Sequence, residues 1–527
     1  VGNGGGVHPQ PLEHGQGVVA HITSLPNPDG PGTLGPEAFA FVDFLSQGRQ
    51  RYWQVLPINP CDAFGSSYAG PSAFAGNLAL VHRGGLTFEE LYRAWNEGAP
   101  TQKFPESLVV AATPVAEVFS AENFEAFRQN EASWLVPYAT YQAIRDGVLA
   151  GEILVDPQWL RTQTPGEVES AAEEVSPEVV DTSEMGTQDT AQEAQDREES
   201  LEDVPWQSWP EPYHSYSPEL AARPELAERV RFHEFCQWLF FVQWQALKAY
   251  ANEHGIQIIG DIPMYVSEDS ADTWSHPEVF NLNAHGHKKE CAGVPPDGFA
   301  PEGQLWGNPT YNWNYLADTN YQWWLERLGH LFRLYDYLRL DHFVGFENYY
   351  AVPHGKTALE GQWKPGPGVD LFRTAAQKFG PLPVIAEDLG IITPAVRGLL
   401  AQCGFPGMDV LEFYDGDLRG GYLPAPEKIA YTSTHDTDTL LGFVRNAYGI
   451  TDMNESRTLA ERIMVDALRS GAPVVMMPLQ DVLGLGSEAR MNVPGTAVGN
   501  WKWQATQEDL DSAVPLLSTL TLEAQRS

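Results

Sequence analysis

Eight short runs of β-branched, aromatic and other apolar residues recur along the chain, separated by segments of helical periodicity. They are Gly17–Leu25, Tyr52–Ile58, Ile256–Tyr265, Tyr335–Phe343, Pro383–Asp388, Met408–Phe413, Lys428–Asp436 and Pro473–Asp481. Several are apolar almost throughout, as strands covered on both faces by helices must be. Before the third run, Phe232, Phe235, Cys236, Leu239, Val242, Leu247 and Tyr250 keep a helical repeat, and Gly255 is placed to end that helix. Eight strands alternating with helices predict either a closed (β/α)8 barrel or a long doubly wound sheet. Polar residues at the ends of the runs favour the barrel, whose strand tips converge on one mouth.

The spacing of the runs is uneven. About 200 residues separate the second from the third and about 70 the third from the fourth, longer than ordinary connections. The chain therefore reads as one catalytic barrel over 1–527, with an inserted subdomain at 66–230 and a second insert of loops at 266–320. Within the first insert, Glu167–Asp203 holds fourteen acids and a single base, Arg197, with no aromatic residue. Such a segment cannot bury enough apolar surface to offset its ordering entropy, so it is expected to be a weakly structured excursion.

Composition narrows the partners. A formal charge of −38 argues against nucleic acid and anionic membrane surfaces, which would repel the protein, and suits a neutral polar substrate as well as plain solubility. The four cysteines (Cys61, Cys236, Cys291, Cys403) are scattered, with no Cys-x-x-Cys pair, which fits a reducing compartment. The opening residues do not read as a signal peptide, and no apolar run approaches a membrane span. A cytoplasmic monomer is expected. His285 and His287 lack a third partner, so no metal site is expected, and no glycine-rich phosphate loop follows a strand.

The candidate chemistry lies at the run ends. Asp341 closes Tyr335-Asp-Tyr-Leu-Arg-Leu-Asp341, Glu387 closes Pro383-Val-Ile-Ala-Glu387, and Asp436 closes Ile429-Ala-Tyr-Thr-Ser-Thr-His435-Asp436. Cleaving a glycosidic bond with retention requires a carboxylate nucleophile and a carboxylic acid on opposite sides of the bond. Asp341 is the expected nucleophile, because Arg339 stands two residues earlier on the same strand face and can hold its carboxylate. Glu387 is the expected acid/base, with Asp388 on the opposite face. Asp436 and His435 are expected at the sugar hydroxyls. Tyr68, Tyr265, Trp274 and Trp306 are candidates to stack on sugar rings, Trp306 within a Gly-Asn-Pro loop. The segment Gly293–Gly298 reads as a turn-rich loop over the site. These residues do not separate transfer from hydrolysis by an α-amylase type of enzyme, nor by themselves exclude a non-catalytic glucan-binding protein.

A series of strings resembles the 4-α-glucanotransferase family (amylomaltase or disproportionating enzyme, glycoside hydrolase family 77). They include Trp53-Gln-Val-Leu-Pro, Pro71-Ser-Ala-Phe-Ala-Gly-Asn77, Gly260-Asp-Ile-Pro-Met-Tyr-Val, Leu305-Trp-Gly-Asn-Pro, Arg339-Leu-Asp-His-Phe, Ala386-Glu-Asp-Leu-Gly, Thr434-His-Asp and Arg490-Met-Asn-Val-Pro-Gly-Thr. The resemblance implies a barrel with inserted subdomains and no C-terminal β-domain. It implies retaining transfer of α-1,4-glucan segments to the 4-hydroxyl of another glucan, without metal or organic cofactor. Maltooligosaccharides would serve as substrates, with possible cyclisation. It assigns Asp341, Glu387 and Asp436 to catalysis, and Ser66, Tyr68, Asp261, Trp306, Arg339, His435, Asp417 and Asn500 to sugar binding. The chain departs from the family pattern at Ala69-Gly-Pro, where a polar residue is usual. It also carries Thr437 in place of Asn and Gln504 in place of Arg.

Overall fold

Seven of the apolar runs contain a strand and the first overlaps one that begins two residues earlier, at Gly15; the strands join in one parallel sheet. In a computed structural model, which describes residues 6–98, 104–108, 114–155, 204–297 and 300–526, the barrel strands are β1 (Gly15–Val19), β2 (Tyr52–Gln54), β3 (Gln257–Ile262), β6 (Tyr337–Leu340), β9 (Val384–Ala386), β10 (Met408–Val410), β11 (Ile429–Tyr431) and β12 (Val474–Pro478). Their order is β10-β11-β12-β1-β2-β3-β6-β9, with every pairing parallel. The remaining seam, between β9 and β10, is bridged by the N–H of Ala386 donating to the Pro406 carbonyl (2.9 Å). The Asp388 carboxylate completes it, accepting from the Met408 N–H (2.8 Å) and pairing with Lys428 (2.6 Å). Gly407 is required there, since a Cβ would lie 2.4 Å from Asp388 Oδ2. The fold is a (β/α)8 barrel.

Strand alternation divides the apolar residues into two cores. Val19, Tyr52, Ile259, Tyr337, Ile385, Met408, Ile429, Tyr431, Val474 and Met476 point inward and fill the barrel. Their neighbours along each strand point outward against helices Pro36–Gln47, Ala227–Glu253, Gln322–Leu334, Val369–Phe379, Pro394–Cys403, Leu440–Tyr448, Met453–Arg469 and Gln507–Glu523. The helix expected before the third strand is Ala227–Glu253, and Gly255 beyond it takes φ +74°, a left-handed conformation that costs glycine nothing. Between β10 and β11 the described connection holds only short 3₁₀ turns. At the base of the barrel the buried Arg526 guanidinium donates to the carbonyls of Gly15 (3.0 Å), Ser470 (2.9 Å) and Ala472 (2.8 Å), tying the C-terminal segment beneath β1 and β12.

A second sheet is built from segments that read as loops. Strands β4 (Glu290–Val294), β5 (Gln304–Pro309), β7 (Asn348–Pro353) and β8 (Gln362–Pro365) form an antiparallel sheet in the order β5-β4-β7-β8. Two come from the β3–β6 connection and two from the β6–β9 connection, so the central β4–β7 pairing is long-range, and Gly and Pro within the strands mask their pattern. Gly293 and Val294 thus belong to a strand, and Trp306 sits on β5 rather than a loop. The acidic stretch Glu167–Asp203 lies outside the described residues.

Candidate active site

The inward parity that fills the barrel also aims its chemistry. On β3, Ile259 points inward, and so does Asp261 two residues later. On β6 the inward series is Tyr337, Arg339, Asp341, and on β9 it is Ile385, Glu387. The register places Asp261 opposite Arg339 and Leu340 opposite Ala386. One step further, Asp341 comes beside Glu387. Backbone bonds fix these tips, from Asp341 N–H to the Ile262 carbonyl (3.1 Å), Glu387 N–H to Leu340 (3.0 Å) and Phe343 N–H to Glu387 (3.1 Å).

Arg339 is the hub. Its buried Nη1 lies 2.8 Å from Asp261 Oδ1, 3.0 Å from Asp261 Oδ2 and 2.9 Å from Asp341 Oδ1. Two carboxylates offset the cost of burying the guanidinium. The Tyr68 hydroxyl donates to Asp261 Oδ2 (2.5 Å). Glu387 is held differently, accepting from the Leu389 N–H at Oε1 and the His342 N–H at Oε2, each at 2.8 Å. Burial, together with the neighbouring Asp341 charge, outweighs those bonds and Arg339, and pushes the Glu387 carboxyl up to about 7. One carboxyl thus keeps its proton near neutral pH while its neighbour is ion-paired.

His342 reaches Glu387 through strain. Its φ of +51° is left-handed, at a cost on the order of 1 kcal/mol, and turns its N–H towards Oε2. Burial pulls its imidazole down to about 4, against the attraction of Asp341, so the ring is neutral. It packs edge-on to Trp306 (4.8 Å), placing that indole beside the carboxylates.

The third carboxylate differs from the expectation of a strand tip. Strand β11 stops at Tyr431, and Asp436 sits on the loop beyond, because Thr432 and Ser433 turn away to donate to the buried Asp481 (2.6 Å each). The loop is closed by Thr437, whose hydroxyl accepts from the Thr434 N–H (2.9 Å), so the substituted residue has a structural task. Asn492 Nδ2 donates to Asp436 Oδ1 (2.7 Å), Arg490 Nη2 to its backbone carbonyl (3.0 Å), and His435 Nε2 lies 3.2 Å from Oδ2. Burial alone would raise the Asp436 carboxyl, but His435 and Asn492 pull it well below the usual range. Its side chain keeps 48% of its surface, so water softens that effect. His435 lies flat on Tyr68 (ring centres 5.2 Å, 9°), with Trp501 6.0 Å from Tyr68.

Thus Tyr68, Asp261, Arg339, Asp341, Glu387, His435 and Trp306 converge. Ser66 supports the turn below Tyr68, its Oγ accepting from the Tyr68 N–H (3.3 Å). Asn500 is engaged in its own loop, accepting from the Val493 N–H (2.9 Å) and donating to the Thr496 carbonyl (3.0 Å). Asp417 is exposed on the loop after β10, where it pairs with Arg419 (2.7 Å) and contacts none of the three carboxylates. Gln504 donates to the carbonyls of Leu25 and Gly30 (2.8 Å each). Trp274 is core: it is 2% exposed and donates to the Tyr213 carbonyl. Asn492, Arg490, His342 and Trp501 were not singled out from sequence. The first two stand in the Arg490-Met-Asn-Val string, the signal that could have marked them. Among the described residues, no three His, Cys, Asp or Glu side chains are grouped to hold a metal ion, and no helix is long and apolar enough to cross a membrane.

Fold and site together define a barrel enzyme equipped to work on glycosidic bonds. The profile of the 4-α-glucanotransferase family matches residues 20–194 and 193–509. Among similar proteins, the 4-α-glucanotransferase of Thermus thermophilus is 38% identical over 529 residues, covering 94% of this chain and 95% of that one. The Aquifex aeolicus 4-α-glucanotransferase is 36% identical over 521 residues, covering 93% and 95%. The solved amylomaltase of Streptococcus agalactiae, in complex with acarbose, superposes with a TM-score of 0.75 at 32% identity, covering 98% of this chain and 100% of that one. This chain belongs to the 4-α-glucanotransferase family, and its activity is that of a glucan-transferring enzyme.

Proposed function

We propose that the enzyme transfers α-1,4-glucan segments by double displacement with a covalent glycosyl-aspartate. Asp341 attacks the anomeric carbon while Glu387 gives its proton to the leaving 4-oxygen. The same Glu387, now ionised, takes the proton of an acceptor 4-hydroxyl that displaces Asp341. The charge gained by Glu387 when it gives up its proton is offset as Asp341 loses its own in forming the ester. Asp436, kept ionised by His435 and Asn492, faces the positive charge that develops on the sugar ring. Tyr68 and His435 hold hydroxyls, the buried Asp261 fixes Tyr68 and Arg339 from behind, and Trp306 offers an apolar face. The single observation that carries this reading is the pairing, on adjacent strand tips, of an arginine-bound Asp341 with a proton-retaining Glu387.

Transfer rather than hydrolysis requires an acceptor to outcompete water, and about 1.4 kcal/mol in the two barriers changes the product ratio tenfold. An acceptor held by stacking and hydrogen bonds has that advantage. When the acceptor is the non-reducing end of the same chain, the product is a cyclic glucan. Incubation with maltotriose tests the proposal: glucose together with maltopentaose and longer oligomers is expected, and shortened products alone would refute it.

A further inference from the structure

Beside His435 lies a small cavity where the tips of β1, β11 and β12 meet. It is lined by His21, Ser433, His435, Thr437, Gln480 and Arg490 among others. About 20 Å³ of it is open to the centre of a water molecule, and roughly 10–15 Å³ suffices for one. Two of the residues lining it carry buried nitrogens with no hydrogen-bond partner in the protein, His21 Nδ1 and Arg490 Nε. His21 follows β1 directly, is 8% exposed, and its side chain caps no backbone group. The two orphans are complementary. The Arg490 Nε–H can only donate, whereas Nδ1 of a neutral imidazole can accept. Burial and the charge of His435 hold the His21 ring in its neutral form.

We propose that this cavity is a built water site, in which one water accepts from Arg490 Nε and donates to His21 Nδ1, making His21 a positioning residue for the loop that carries Asp436. Arg490 is the link, since its Nη2 holds the Asp436 backbone carbonyl at 3.0 Å. With its Nε matched through water to the fixed tip of β1, the guanidinium keeps one orientation. Asp436 then meets the sugar at a set height beside His435. A buried donor left unmatched would instead draw Arg490 towards another acceptor and loosen the loop. The inference rests on the role given to Asp436 above.

The test compares His21→Phe, which fills the cavity and removes the acceptor, with His21→Asn, whose Oδ1 offers an acceptor near the place of Nδ1, both on maltotriose disproportionation. His21→Phe is expected to lower kcat about tenfold with KM nearly unchanged, equivalent to about 1.4 kcal/mol of transition-state binding. His21→Asn should recover kcat to within about twofold of the parent, because the bridging water is kept. A high-resolution crystal structure of the parent protein should show one ordered water between His21 and Arg490, an observation independent of how the variants fold. A dry cavity there, or a His21→Phe enzyme with the parent kcat, would overturn the inference. If instead the parent enzyme fails to disproportionate maltotriose, the functional reading falls.

Discussion

The proton held on Glu387 should be visible in stability as well as in rate. In an unfolded chain this carboxyl ionises near 4.5, whereas in the folded protein it does so at about 7. The folded state therefore binds the extra proton, and stability is lost as pH rises from about 4.5 to about 7 and stays lost above it. The full loss is about 3 kcal/mol at 1.36 kcal/mol per unit. Of this, about 2.5 kcal/mol falls between pH 5 and pH 8.5. Glu387→Gln removes the titration. Gln cannot accept from both the Leu389 and His342 N–H groups as the carboxylate does, which costs about 1 kcal/mol, but that cost is the same at both pH values and cancels in the comparison. With unfolding entropy of about 2.1 cal/mol/K per residue over 527 residues, 2.5 kcal/mol corresponds to about 2 °C. Melting the parent and Glu387→Gln proteins at pH 5 and pH 8.5, at one scan rate, should show the variant gaining about 2 °C relative to the parent at the higher pH. An unchanged difference would mean that Glu387 titrates as an ordinary surface carboxyl, and would refute the assignment of its proton.

Other expectations follow from the same geometry. The kcat/KM of the parent enzyme should fall tenfold per pH unit on an alkaline limb with its midpoint at about 7, as Glu387 loses its proton in the free enzyme; a kcat/KM profile flat to pH 9 would contradict this. Arg339→Lys replaces the long, rigid guanidinium whose Nη1 bridges Asp261 and Asp341 by a shorter, differently placed ammonium, and should reduce kcat/KM on the order of 30-fold, about 2 kcal/mol; steady-state kinetics on maltotriose would show it. Asp388→Ala strands the Met408 N–H and Lys428 at the β9–β10 seam. It should destabilise by about 2–3 kcal/mol, discounted because Lys428 is partly exposed, lowering the melting temperature by about 2–3 °C.

The barrel was legible because each parallel strand, covered on both faces, must be apolar nearly throughout, and every such run overlaps a strand. Their ends were less legible. The run Lys428–Asp436 looks continuous, but the buried Asp481 captures Thr432 and Ser433 and ends the strand at Tyr431. The antiparallel sheet was hidden because its central pairing, β4 with β7, joins the β3–β6 and β6–β9 connections, and Gly293 is required there because a Cβ would lie 2.2 Å from the Gln304 carbonyl oxygen. In the site, Arg339 and Asp341 could be paired from strand parity alone. Asp261, by contrast, was named through resemblance, and its place opposite Arg339 is a matter of register that one sequence does not display. Trp274 and Trp306 look alike as loop aromatics; only packing separates the core indole from the one beside His342.

The most direct test of the central claim is to trap the glycosyl-enzyme. Glu387→Gln protein given maltotriosyl fluoride, whose leaving group needs no acid, should form an adduct but release it slowly for want of a base. Intact mass should rise by one maltotriosyl unit, and peptide mapping should place the added mass on Asp341. A label on Asp436 or elsewhere, or no adduct while the fluoride is consumed, would contradict the account.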